Sequence, residues 1–242
     1  MDPTLRKIRH ALFTFYLEHC RPPTVDELAN ASDEPRAEIE GALAKLQELH
    51  HIVLYGEGVC SATPIEMAHP FSHLPTPFIV THGARSWWAN CAWCSFGLAA
   101  MLQNPLTITT SDNEPITITT RSGSIGPELV FKIGPGDQIT CNGSAEAAAK
   151  CRVHFSVPPS KWWDNVRFAC GTIQLLASEG EAEEWAGKYG FWKGEVMDVS
   201  TLWGLSKVWY HDKHTYGYER KTPKEAFAIF DKLGLTSTYW SS

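Results

Sequence analysis

The stretch WWANCAWCSFGLAAMLQ, residues 87–103, is apolar almost throughout, has helical potential, and is stopped by Asn104-Pro105. It carries two cysteines, Cys91 and Cys94, in a CxxC spacing that lets two thiolates share one soft metal or form a redox pair. A structural zinc site would need two further ligands at suitable spacing, and the chain has no second CxxC. A thioredoxin-like site would need the motif directly after a strand in a βαβ unit. Here it follows Ser86-Trp87-Trp88 and precedes hairpin-like sequence. The plain alternative is that Cys91 and Cys94 are small core residues.

C-terminal to this segment, LTITTSDNEPITITTR (106–121) alternates around Ser111–Glu114 and predicts a β-hairpin, with further strands at 128–133, 138–141 and 152–157. FACGTIQLLA (168–177) reads as a strand beginning near Cys170, and taken alone Cys170 is a buried structural thiol. Helices are expected at 179–189, at 200–209, and at Thr222–Leu233, where Thr222 caps, Pro223 opens and Gly234 closes.

N-terminal to it, residues 61–82 are rich in Pro and His and read as an extended connector. Before that, Leu5, Ile8, Leu12, Phe15 and Tyr16 recur at helical spacing, and Thr24 with Glu27 forms a capping-box pattern. Ile39, Leu43, Leu46 and Leu49 then line a third helix, and Ile52–Tyr55 runs as a strand into Gly56-Glu57-Gly58. This order outlines a winged helix-turn-helix. The candidate recognition helix, Pro35–His50, sets Glu38, Glu40 and Glu48 against Arg36 and Lys45, a poor balance for meeting phosphates, so the unit is expected to be structural.

The whole chain, 242 residues with a formal net charge of −6, points the same way, since nucleic-acid binders usually present a basic face. No stretch is long and apolar enough to span a bilayer, and the N-terminal segment lacks a signal peptide's apolar run, so a cytoplasmic protein is expected. Seven cysteines, an odd number, suit a reducing compartment rather than a disulfide framework. Cys20, Cys60, Cys141 and Cys151 have no partner motif and read as structural. No catalytic triad and no phosphate-binding glycine loop is legible; GPGDQITCNGS (134–144) lacks the Lys.

Taken in order, these features resemble the alkylmercury (organomercurial) lyase family. That family has a winged-helix-like N-terminal region, a PFS…PTP connector and a W/Y-A-x-C-A-x-D helix. Hairpins follow, then a second Cys leading into an apolar run and a SxExAxxW helix. This chain shows Pro70-Phe71-Ser72, Pro75-Thr76-Pro77 and Trp88-Ala89-Asn90-Cys91-Ala92-Trp93. It then has Val166-Arg167-Phe168-Ala169-Cys170, Leu175-Leu176-Ala177-Ser178-Glu179 and Ala182-Glu183-Glu184-Trp185. The likeness covers about residues 1–200.

The resemblance implies an α+β fold, with a winged-helix-like domain at 1–62, a connector at 63–82, a lyase-like core at 83–205 and a C-terminal extension at 206–242. It also implies an enzyme in which two thiolates capture an organomercurial and an aspartic acid passes a proton to the leaving carbon. The two family cysteines fall on Cys91 and Cys170, and the family Asp falls on Cys94, which is the departure. Cys94 is either the proton source or a third mercury ligand, and Cys91, Cys94 and Cys170 together are the candidate catalytic and metal-binding residues. Hg(II) is soft and thiolate is its best protein ligand. The expected partners are a small organometallic or thiol-reactive substrate and small cellular thiols, with no nucleic acid and no membrane, for a monomer or homodimer. No resident cofactor is expected, because mercury arrives with the substrate. Two other readings share these residues: a binding protein for Hg(II) or Cu(I), and a metal-responsive regulator.

Overall fold

In a computed structural model, which describes residues 1–59, 61–104 and 114–241, the chain begins with three helices: α1 (Pro3–His19), α2 (Val25–Ser32) and α3 (Arg36–Glu48). Asp2 caps α1 by accepting from Leu5 N at 2.9 Å, and Pro3 occupies the first turn, where its missing N–H costs nothing. Thr24 and Glu27 form the predicted capping box on α2. Strands β1 (Val53–Leu54), β2 (Ile65–Ala68) and β3 (Phe71–Ser72) follow as an antiparallel sheet in that order.

Next come β4 (Ile79–His82), β5 (Arg85–Trp88), the helix α4 (Ala92–Leu102), β6 (Ile116–Arg121), β7 (Glu128–Ile133) and β8 (Ile139–Cys141). The five strands form one antiparallel sheet in the order β5-β4-β6-β7-β8. In β6 the predicted alternation buries Ile116 and Ile118 and leaves Thr117 and Thr119 half-buried. The expected first strand of its hairpin lies outside the described residues, and among those described β6 pairs with β4 and β7.

Beyond the sheet lie α5 (Ala145–Lys150), β9 (Arg152–Phe155), α6 (Val166–Gly171), β10 (Gln174–Leu176), α7 (Glu179–Tyr189), β11 (Glu195–Asp198), α8 (Val199–Tyr210), α9 (Pro223–Lys232) and α10 (Thr238–Ser241). The third sheet is β10-β9-β11. The fold is α+β, as expected.

Two local readings need correction. Residues 168–177 are not one strand: Asn165 caps a helix by accepting from Phe168 N at 3.1 Å, so Cys170 is helical and only Gln174–Leu176 extends. Capping chemistry overrides the β-rich composition there. Residues 61–82 do more than connect, since β2, β3 and β4 come from them. Position 205 falls inside α8.

One hydrophobic core joins the N-terminal helices to the rest: Ile8, Leu12 and Phe13 of α1 share it with Phe71, Trp87 and the whole apolar run of α4. Every residue of α4 is buried, as an all-round apolar helix requires. It packs on the five-stranded sheet through Phe96 and Phe131, with ring centroids 5.6 Å apart, and on α8, where Gly97 faces the ring of Tyr210. Among the described residues no helix is long and apolar enough to cross a membrane.

Candidate active site

The site is built at the N-terminus of α4. Trp87 of β5 is anchored by its indole N–H, which donates to Tyr16 O at 2.7 Å, and Asn90 donates to Phe71 O at 2.9 Å. These bonds fix the chain entering the helix, so Cys91 takes the N-cap position. Its sulfur accepts from Cys94 N at 3.4 Å, a place usually held by a hydroxyl or carboxylate oxygen. The spacing of three residues within the first turn turns both sulfurs toward one side of the helix. Ala92 N donates to Ile173 O at 3.2 Å, tying this turn to the segment after α6, and α6 supplies Cys170.

The sulfurs of Cys91, Cys94 and Cys170 all lie within 4.8 Å of one another, and all three residues are buried. A single soft ion can therefore reach all three donors. Two further groups touch the cluster: His69 Nε2 is 3.6 Å from Cys170 Sγ, and the Tyr210 hydroxyl is 3.7 Å from Cys94 Sγ.

Charge is unevenly shared among the thiols. Burial alone would push Cys94 up. Hydrogen bonds from Cys170 and Cys91, nearby His69 and the Tyr210 hydroxyl outweigh it, and Cys94 is held well below the ordinary thiol range. Cys91 is pushed well above that range by burial and by its bonds to the other two sulfurs. For Cys170 the bond with Cys91 pulls downward, but donation to Cys94 and burial carry it up. Three sulfurs this close cannot all ionise without a cation to share, and their surroundings favour the thiolate at Cys94 over Cys91 and Cys170. Burial holds His69 neutral, its pKa lowered to about 4.

The cluster forms the floor of a cavity of about 650 Å³, counting its open mouth. Trp93, Trp162 and Trp209 form an aromatic wall, with Trp93 5.0 Å from Trp162 and 5.3 Å from Trp209 between ring centroids. On the opposite side His50 stacks on Trp163 at 4.3 Å, and Arg220 lies over the same ring. Two ring nitrogens of the cavity lining, Trp93 Nε1 and His69 Nδ1, are buried without a hydrogen-bond partner among the described residues.

The three cysteines singled out from sequence are thus brought together. Cys141 and Cys151 face each other beside α5, away from this cluster, and Cys20 ends α1 in a left-handed conformation. Cys60 lies outside the described residues. Sequence reasoning missed His69, Tyr210, Lys213, Trp162 and Trp209. His69 directly precedes the Pro70-Phe71-Ser72 motif, a signal that could have found it. Tyr210 and Lys213 carry none, since they reach the site only through the packing of α8 on α4.

In this α+β fold the N-terminus of α4 and the helix α6 bring three thiols together beneath an aromatic cavity, a donor set that could hold a soft metal ion. The sequence profile of the alkylmercury lyase (MerB) family matches residues 71–211, more than half of the sequence. The chain belongs to the alkylmercury lyase family and is an enzyme of that type. Among solved structures it is similar to the mercury-bound form of MerB2, with a TM-score of 0.60 and 16% identity, covering 88% of this chain and 100% of that one. At this identity the likeness speaks for the fold. No curated protein matches.

Proposed function

We propose that this enzyme cleaves the carbon–mercury bond of small organomercurials by protonolysis, with Cys91, Cys94 and Cys170 taking the mercury. The observation that carries this reading is the convergence of three buried sulfurs within 4.8 Å at the floor of an aromatic cavity. The Cys94 thiolate attacks mercury and displaces the small thiol that delivered the organomercurial. A second sulfur, from Cys91 or Cys170, then adds to mercury and gives up its proton, and the third holds mercury in place for cleavage. Two sulfur donors weaken the carbon–mercury bond, whose electron pair passes to carbon and is captured by a proton. The hydrocarbon leaves, and Hg(II) stays on sulfur until small thiols remove it. The tryptophan wall suits the organic group of the substrate and keeps water from the reacting carbon. No resident cofactor is required. Such chemistry belongs in a reducing cytoplasm, where the thiols stay free. The N-terminal helices, which we read as winged-helix-like, serve the fold by packing into the common core.

A second reading has one observation in its favour. A third sulfur stands where the resemblance places an acid, so a trap for Hg(II) or Cu(I) fits the same three residues. Incubation with phenylmercury and excess small thiol, with benzene quantified over time, separates them. The lyase reading predicts many benzenes per chain. Stoichiometric mercury retention without benzene would establish the trap instead.

A further inference from the structure

The proton that reaches the carbon has no carboxylic acid to carry it, because none of the residues lining the cavity is Asp or Glu. The other groups on the wall can be tested one by one. Arg220 holds its protons too tightly to give one up. The imidazoles of His51 and His69, held at about 2 and about 4 chiefly by burial, are too weakly basic to keep a proton taken from a thiol. Burial and then Arg220 lower His50 as well, and its Nδ1 is engaged by Arg220 at 3.0 Å. Burial raises the Tyr218 hydroxyl to about 12. Lys221 lies 3.9 Å from Asp212 and faces that carboxylate. The Tyr210 hydroxyl is engaged with Cys94, and burial beside the thiols pushes it well above its ordinary range.

Lys213 remains. It sits just past α8, beyond the span matched by the family profile, and its backbone is pinned twice. Lys213 N donates to Tyr210 O at 3.0 Å, and the Arg9 guanidinium donates to Lys213 O. The side chain is buried and lines the cavity with the three cysteines. Its Nζ lies 5.1 Å from the centroid of the Tyr210 ring, the ring whose hydroxyl touches Cys94. Among the described residues Nζ has no hydrogen bond and no carboxylate within ion-pair distance, an unusual position for a buried ammonium.

We propose that Lys213 is the catalytic proton carrier of this enzyme, taking the proton of the second thiol and delivering it to the leaving carbon. The step balances without a co-reactant. The S–H bond of Cys91 or Cys170 breaks as its sulfur binds mercury, and the Lys213 amine takes that proton. The carbon–mercury bond breaks with its electron pair on carbon, the C–H bond forms with the proton from Nζ, and the lysine is neutral again. Its environment suits both halves of the relay. Burial, then Arg9, with Arg220 and Lys221 beyond it, lower its pKa, the Cys94 charge opposes them, and the balance lies at about 7. His51, His69 and Cys170 are the other titratable groups that sense it.

The inference rests on the lyase reading, and the experiment separates the two. Phenylmercury is mixed with excess enzyme, benzene is followed by rapid quench, and bound phenylmercury is measured after desalting. Wild type, K213M and K213R are compared. Both variants should retain as much of the added phenylmercury as wild type captures, yet form benzene at least ~100-fold more slowly, the loss typical of removing a general acid–base group. K213R keeps length and charge, so recovery in K213R would show that only a structural cation is needed and would overturn the relay. A K213M rate near that of wild type would do the same. Should K213M fail to fold, K213R alone carries the prediction. If wild type itself releases no benzene, the lyase reading falls and the relay falls with it.

Discussion

Gly97→Ala tests how α8 positions the site. On helix propensity alone the change should help, since Ala in a helix interior is favoured over Gly by up to ~1 kcal/mol. The structure predicts the opposite sign. A Cβ on Gly97 would stand 2.4 Å from Cδ2 of Tyr210 and 2.7 Å from Cε2 and Cγ. The ring cannot step aside, because Tyr210 is buried and Trp93 lies edge-on to it at 5.5 Å. Overpacking a rigid core typically costs ~1–3 kcal/mol; with contacts this short the cost falls at ~2–3 kcal/mol, which exceeds the propensity gain and leaves a net loss on the order of 1–2 kcal/mol. For a chain of this size the melting temperature should fall by roughly 2–8 °C. Cleavage should slow as well, because the displaced ring takes its hydroxyl away from Cys94. In a Tyr210→Ala background the clash is gone, and Gly97→Ala should become neutral or stabilising. Thermal melts of the four proteins in this cycle decide it. A Gly97→Ala single variant more stable than wild type would refute the packing argument.

Acid should destabilise the fold through its buried histidines. His51, His69 and His214 are held neutral at about 2, about 4 and about 4, chiefly by burial, against an ordinary 6.5. The unfolded chain therefore binds more protons below 6.5, so this stability is complete above that pH and is lost as the pH falls toward 4. His69 alone accounts for about 3 kcal/mol over that window. Urea midpoints measured at steps from pH 7 to pH 4.5 should fall, and a flat profile would contradict the neutral burial of these rings. A second expectation concerns the resting charge. Thiolate ultraviolet absorbance of the reduced protein should persist well below the ordinary thiol range and disappear in Cys94→Ser. Survival of that absorbance in Cys94→Ser would assign the charge to another sulfur.

Much of the site was legible because it is local. Cys91 and Cys94 sit three residues apart on one helix turn, and their spacing declares itself without tertiary information. The burial of α4 was equally plain from its unbroken apolar run. Cys170 stands out by its order in the chain, yet the β-rich Phe168-Ala169-Cys170-Gly171-Thr172-Ile173 reads as a strand, and only the Asn165 cap makes it helical. The cavity walls were illegible for a different reason. Tyr210 meets Cys94 across 116 residues of sequence, and His69 meets Cys170 across 101. The first meeting depends on the missing side chain at Gly97, and neither meeting leaves a periodic signal.

In the proposed function Cys91, Cys94 and Cys170 act as one three-sulfur site. The most direct test is single-turnover benzene formation from phenylmercury by Cys91→Ser, Cys94→Ser and Cys170→Ser, beside Cys141→Ser and Cys151→Ser. Each of the first three variants should lose cleavage, and the last two should retain the wild-type rate. Wild-type cleavage by any one of the three cluster variants, or its loss in Cys141→Ser or Cys151→Ser with the fold intact, would contradict the three-sulfur site.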